Sequence, residues 1–457
     1  MEESGLDTDA PNIVLRQRVG QINADLSVGT DVTKTKPLLA NEWICSPGVK
    51  LHGSGFIVSA DEAEQLGLGR REGLERHIRP YRNGRDLTAR GRGVMVIDLF
   101  GLEEAEVRRR FPEVYQHLTR TVRVDRGEQF KKAGTKDAAA YLDRWWIFGK
   151  PRSELRPALG GLSRYIATVE TAKHRVFQFL DATILPDNML VCVASDAAWV
   201  LGVLSWRGNV AWATQAGGWL GYGNDPRYSK SRTLDPFPFP HANSNLLTRV
   251  GEIAEELDTT RKEVLVEHTD LTLTGLYNLR EKLVGGEAFT ENDEDQRRRG
   301  RVDIIAELHD RLDAAVAEAY GWPADLSDEE IVARLVALNA ERAAEEKRGI
   351  VRWLRPEYQQ KKAGVATIQK KPEAEQFEAL LPEAASAKPS FPRDAIGQTA
   401  AVLADLRVGA TLSADEIAAG YRQGRRVSPR IEATLEALVR LGYVSAEDGH
   451  YRLRRAA

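Results

Sequence analysis

The chain has 457 residues, 42% hydrophobic and 29% charged, which suits a globular protein of several domains with ample core. No apolar run approaches the ~18 residues of a membrane span. The acidic, polar start from Met1 to Pro11 is neither a secretory signal nor an Arg-rich transit peptide. Cys45 and Cys192 are too few for a disulfide framework or a cysteine-rich zinc site, so a cytoplasmic, metal-free protein is expected. The net charge of −3 argues against a polyanionic partner until its distribution is read. Arg70 to Pro240 holds 28 Lys/Arg against 19 Asp/Glu, a balance of +9 that leaves −12 for the remainder. A basic middle between acidic flanks suits one polyanion-binding face.

Residues 1–20 read as an amino-terminal remnant or linker. The Gly-, Pro-, Ser- and Thr-rich stretch from Asn23 to Ser59 predicts short strands and ordered loops. Gly93 to Phe100 predicts a buried strand, and Leu102 to Arg110 a short helix that stops before Phe111-Pro112. Trp145–Phe148, Met189–Ala194 and Trp199–Leu204 are further apolar runs. Residues 21–240 are therefore expected to form one mixed α and β domain. Pro236-Phe-Pro-Phe-Pro240 can continue neither a helix nor a central strand and reads as an extended crossing or a boundary.

Helical periodicity follows over 241–359: Leu247, Val250, Ile253, Ala254 and Leu257, then Ile304, Ile305, Leu308, Leu312, Ala315 and Val316. Ser327 and Glu330 form a capping box that opens a helix. Residues 360–393 read as a linker. Residues 394–457 predict three helices and a hairpin: Ala400 to Leu406, a capping box at Ser413 and Glu416, a helix from Ser428-Pro429, and a turn at Asp448-Gly449. That is a winged-helix-like pattern, which serves DNA or protein contacts. The expected fold class is α+β.

No catalytic constellation emerges. An adenine methyltransferase that uses S-adenosylmethionine needs a Gly-rich turn after a strand and an Asn/Asp-Pro-Pro-aromatic tetrapeptide for the flipped base. Gly221-Tyr-Gly-Asn-Asp-Pro226 only mixes the two, with Arg227 in place of a second proline. No nuclease-like acidic cluster, metal-spaced histidine pair or phosphate-binding loop is found either.

DNA-reading chemistry is present instead. Arg79, Arg82, Asn83 and Arg85 sit on a Gly-bearing turn, where arginine can fork onto guanine or phosphate and asparagine can pair with adenine. The same turn could instead be capped by Asp86 and held by internal salt bridges. Lys131 and Lys132 suit phosphate contact or a solvated loop. Arg164, Lys173 and Arg175, and then Arg207, Arg227, Lys230 and Arg232 beside Trp206, Trp212 and Trp219, mix basic and aromatic residues as a nucleic-acid surface does, although Trp199 and Trp212 read as core.

An ordered set of motifs resembles the target-recognition half of MmeI-like single-chain restriction–modification enzymes and their N6-adenine methyltransferase relatives. It comprises INADLSVG (22–29), SPGVKLHGSGF (46–56), IRPYRNGRDLT (78–88), VIDLFGL (96–102), RWWIFG (144–149), GLSRYIAT (161–168), GVLSW (202–206), GNDPRYSKS (223–231) and FPFP (237–240). LYNLREKL (276–283), YGWP (320–323) and RWLRPEYQ (352–359) are similar to the family's carboxyl-terminal helices. The resemblance implies double-stranded DNA as partner and adenine methylation as the activity of the system. Endonuclease and methyltransferase domains precede the recognition domain in that family, and this sequence starts after them. S-adenosylmethionine is therefore expected in a missing or partner catalytic domain or subunit. The alternatives are a piece of an active N6-adenine methyltransferase, or a winged-helix DNA-binding regulator. Specificity residues should differ between enzymes, so shared Arg82, Asn83 and Arg85 read as phosphate contact or scaffold. Loops around 120–140, 170–185 and 206–222 are the expected places for base readers.

Overall fold

The computed structural model describes residues 2–4, 12–14, 30–220, 225–364, 390–392, 394–406, 411–447 and 449–453, in two compact units, 1–368 and 369–457. The fold is α+β. In the first unit, one four-stranded antiparallel sheet runs Cys45–Pro47, Leu190–Val193, Arg164–Val169, Gln178–Asp181. The two middle strands carry consecutive buried residues, as strands covered on both faces do. A second sheet runs Ile57–Val58, Met95–Ile97, Ile78–Arg82, Leu185–Pro186, antiparallel except for its last pair. Leu102 to Arg110 holds the helix Glu104–Arg110, and Pro112 opens the next, Pro112–Arg120, at the position where a missing N–H costs nothing.

The apolar positions of Ser244–Glu267 (Val250, Ile253, Ala254, Leu257 and Val264) pack into the same core as Ile166, Phe179, Val191 and Trp212 of the preceding segment. The prolines at 236–240 thus mark a change of secondary structure inside one core. Their segment is a crossing strap. Phe237 and Phe239 are buried, and its carbonyls accept from side chains because prolines supply no N–H. Asn41 Nδ2 donates to the carbonyls of Leu234, Asp235 and Phe237 at 2.9, 3.1 and 2.8 Å. Asn339 Nδ2 donates to Pro236 O at 2.6 Å, and Tyr320 OH to Pro238 O at 2.9 Å.

A buried polar joint ties Ser244–Glu267 to the first sheet. Asp258 and Arg261 are each 3% exposed. Arg261 donates to Phe177 O at 2.9 Å, to Tyr277 OH at 3.0 Å and to Asp258 at 3.2 Å, and Lys262 donates to Phe179 O at 2.7 Å. Tyr277 OH meets His309 Nε2 at 2.8 Å, and burial holds that imidazole neutral, well below its ordinary pKa.

Several segments differ from expectation. Residues 120–140 are not a loop but the helices Val122–Ala133 and Lys136–Asp143, and most of 206–222 is the helix Arg207–Gly217. Trp145–Phe148 is buried without forming a strand. The helix Pro356–Ala363 extends into the stretch expected as linker, and 365–389 lie outside the described residues. Among the described residues no helix is long and apolar enough to cross a membrane.

In the second unit the helices Ala395–Leu406, Ala414–Ala419 and Ser428–Arg440 pack Val402, Ile417, Ile431, Leu435 and Leu438 into one core. The capping box of Ser413 and Glu416 is formed. The hairpin of Val444–Glu447 and His450–Leu453 gains Leu412–Ser413 as a third strand, one not expected. Of its turn, Gly449 has φ +76°, and Asp448 lies outside the described residues.

Gly202 lets the helices Ala198–Ser205 and Ser244–Glu267 touch: a Cβ there would lie 2.6 Å from a Val250 methyl and 3.1 Å from its carbonyl. Gly202→Ala is expected to lower stability by about 1–3 kcal/mol. Denaturant unfolding checks this, and an unchanged midpoint would refute the close approach.

Candidate nucleic-acid interface

The strand Ile78–Arg82 turns into the short helix Gly84–Thr88 through a capping box. Asn83 Oδ1 accepts from Asp86 N at 3.0 Å, and Asp86 Oδ2 from Asn83 N at 2.8 Å. Asp86 also receives a fork from Arg92, at 2.9 and 2.8 Å, together with the Arg92 amide at 3.0 Å. Burial alone would raise the Asp86 pKa, but the Arg92 fork and the two amides outweigh it and hold the carboxylate below its ordinary range. Gly84 packs against the first sheet, where a Cβ would come within 2.9 Å of Val169. Asn83, Gly84 and Asp86 therefore build the turn, and Arg82 and Arg85 have no carboxylate partner among the described residues.

Other predicted site residues are engaged by the protein itself. Arg79 donates to Thr183 O and Ala182 O at 2.9 and 2.8 Å. Arg164 forks onto Glu255 and lies 3.7 Å over the Phe179 ring. Arg175 is held by the carbonyls of Val169, Glu170 and Pro226 and by Thr168 Oγ1, and burial lowers its pKa to about 10. Arg207 bonds Asp328, Ala324 O and Leu326 O. Arg227 pairs with Glu170, Lys230 with Asp235, and Lys173 with Glu281 and Asn278. Lys131 and Lys132, on Val122–Ala133, and Arg232 are exposed and lack carboxylate partners among the described residues. Trp212 is fully buried, as its reading as a core residue expects, and Trp206, read as a neighbour of a nucleic-acid surface, is buried as well.

The fold adds two cations that the sequence reading passed over. Lys50 and Lys150 face each other across an antiparallel bridge, each N–H donating to the other's carbonyl at 3.0 Å. Opposed residues project to one face, and like charges set so close disfavour folding unless an anion answers them. Both are exposed, and neither has a carboxylate partner among the described residues. The strand pairing continues. Val49 N donates to Pro186 O at 2.8 Å, Pro186 is in register with Arg82, and Asp187 N donates to Arg82 O at 2.8 Å. Lys50 thus lies two strands from Arg82, and Lys150 one strand beyond Lys50. No pattern in the sequence pairs residues 50 and 150; only the register does.

Buried charge adds to this field. Arg126, 2% exposed, donates to the carbonyls of His52, Tyr141, Arg144 and Leu51 at 2.9, 2.8, 3.2 and 2.9 Å, with no carboxylate among them. Burial lowers its pKa to about 10, so it stays protonated at neutral pH. His52 titrates lower than usual, first through burial and then through the charges of Lys50, Arg126 and Lys150.

The stretch nearest in sequence to an S-adenosylmethionine turn, Gly221 to Pro226, is described only from Asp225 onward. Such a cofactor is expected at a Gly-rich turn beyond the carboxyl ends of parallel strands. Here the two larger sheets pair antiparallel except at Tyr81–Leu185 and Arg82–Pro186, and Gly221 and Gly223 of the Gly-rich stretch lie outside the described residues.

No protein-family profile matches the chain. No curated protein matches it by sequence. Among solved structures, the fold is similar to that of the Type IIL restriction–modification enzyme MmeI, determined in complex with DNA. The TM-score is 0.53 at 19% identity, over 71% of this chain and 39% of that one. The chain thus spans about two fifths of that enzyme's length, and what is shared is the fold.

Asp86→Asn is expected to cost about 2–3 kcal/mol at neutral pH through loss of the charge-assisted fork. A carboxylate whose pKa is lowered on folding stabilises above its unfolded pKa and stops doing so as pH falls through the folded value. The difference from wild type should therefore fade below about pH 4. Unfolding curves at pH 7 and pH 3 check this, and a gap that does not shrink would refute it.

Proposed function

We propose that this chain recognises DNA sequence for a restriction–modification system that methylates adenine. Residues 21–240 read the duplex, residues 241–359 brace them, and a separate methyltransferase domain or subunit supplies S-adenosylmethionine chemistry. The observation that carries this reading is the opposed pair Lys50 and Lys150, together with Arg82 and Arg85 of the 82–86 turn, without carboxylate partners among the described residues, on a fold of the kind seen in a DNA-bound enzyme. Cations without protein partners neutralise phosphates, release counter-ions and fix register on the duplex; base edges supply the discrimination. Arg82, Arg85, Lys50 and Lys150 are assigned to phosphates. Lys131 and Lys132 lie in the 120–140 stretch assigned to base reading, and Arg232 lies beyond the 206–222 stretch.

Each phosphate contact changes the slope of log affinity against log salt by about 0.9. The double variant Lys50→Glu, Lys150→Glu should therefore weaken duplex binding at least tenfold in low salt and flatten the slope by about 2. Titrations at several salt concentrations measure this, and unchanged affinity and slope would refute the assignment. In a methyl-transfer assay on mixed DNA, the chain alone should transfer nothing, with adenine labelling on addition of the partner catalytic protein. Transfer by the chain alone would favour the reading as part of an active methyltransferase.

A second reading concerns the carboxyl-terminal unit, which we propose is a winged helix that binds DNA as a regulator does. Exposed Arg422, Arg425, Arg426 and Arg430 crowd the approach to the helix Ser428–Arg440, although Glu432 and Glu436 are exposed on the helix itself. Deleting 394–457 separates the two readings. Loss of sequence-specific binding would favour the regulator, and its retention the recognition domain.

A further inference from the structure

A cavity of about 460 Å³ opens beside the Lys50–Lys150 pair, lined by His52, Arg126, Gln129, Lys132, Thr135 and Tyr141 among others. Its size is within the range of small-molecule sites. Several independent features converge on it. The rings of His52 and Tyr141 stack at 4.6 Å with 24° between their planes. His52 holds its ring there from a left-handed backbone, φ +51°, a conformation that non-glycine residues rarely keep without a structural reason. Gly149 makes room for it, since a Cβ at that position would sit 2.3 Å from the imidazole. His52 Nε2 is shielded from solvent and makes no hydrogen bond. Arg126 brings a positive charge answered only by carbonyls, and exposed Lys132 adds another. The one carboxylate in the lining, Asp137, is exposed.

We propose that this cavity holds one nucleotide, with its base against the His52–Tyr141 pair and its phosphate toward Arg126 and Lys132. A bare phosphate would leave the ring pair unused. A neutral aromatic ligand would leave the cations unanswered. A nucleotide meets both demands, because every base has a face to stack and an edge to accept or donate. The nucleotide has two possible sources, an unstacked position in bound DNA or a free mononucleotide. The first rests on the DNA-reading proposal above, and the second does not.

The test has two arms. In the first, the four deoxynucleoside monophosphates are titrated against the full chain and followed by calorimetry. They are expected to bind wild type and Tyr141→Phe alike, and Tyr141→Ala and Lys132→Glu about tenfold more weakly. Lys132 is exposed on its helix, so its variant carries the test if Tyr141→Ala fails to fold. In the second arm, duplexes bearing 5-iodouracil at mixed positions are photo-crosslinked to the chain, and the attached peptides are mapped by mass spectrometry. A cross-link at Tyr141 upholds the cavity and names DNA as the source. Mononucleotide binding without that cross-link upholds it and names the free nucleotide. If neither occurs, the cavity assignment is overturned. Duplex binding that persists in that case, still sensitive to Lys50→Glu and Lys150→Glu, leaves the DNA-reading proposal standing. Mononucleotide binding by a chain that binds no duplex would do the reverse.

Discussion

Three prolines between residues 236 and 240 deny that segment the amide donors by which a chain joins a helix or a sheet, yet it lies within the main core. The first unit depends on how those carbonyls are answered. Asn41 reaches them from the amino-terminal side of the strap; Tyr320 and Asn339 reach them from the helices beyond it. A buried carbonyl left without a partner is costly, so the strap can sit in the core only when both flanking parts of the chain have closed on it. The mixed α and β part before the strap and the helices after it are thus conditions for each other's folding, which is why one core runs through both.

The same economy governs the arginines. In the basic middle of the chain, guanidiniums that meet buried carbonyls or carboxylates fix the fold. Arg79 and Arg175 bind backbone oxygens, Arg164 grips a helix, and Arg92 completes the turn at Asn83. Among the cations without such partners, sheet register opposes Lys50 to Lys150, with Arg82 two strands from Lys50. Charge density along the sequence locates the region, and partner geometry separates scaffold from surface.

What could be read in advance was what is local. The capping boxes of Ser327 and Glu330 and of Ser413 and Glu416, the helix before Phe111-Pro112 and the periodic helices after residue 240 each follow from residues within a few positions of one another. The helix Val122–Ala133 escaped because it buries only Val122 and Arg126 and so shows no apolar stripe. Arg207–Gly217 escaped because Gly208 and Gly217 weaken its propensity and the surrounding core overrides that. Of the candidate site, the turn at 82–86 was legible as scaffold in two ways, from the capping residue Asp86 and from its resemblance to a shared family motif. The Lys50–Lys150 pair and the cavity at His52 were not legible, because they depend on residues about one hundred positions apart meeting in space.

The polar joint at Asp258, Arg261 and Lys262 has one more consequence. Gln178–Asp181 is the outermost strand of its sheet, and the amide and carbonyl of Phe179 point away from its neighbour strand. Those groups are an open template for any passing extended chain. Here Asp258 accepts from the amide at 3.4 Å and Lys262 donates to the carbonyl, while Arg261 takes the carbonyl of Phe177. Three side chains of one helix thus stand in for the strand that is not there. They end the sheet at four strands and close its edge to self-association between copies of the chain.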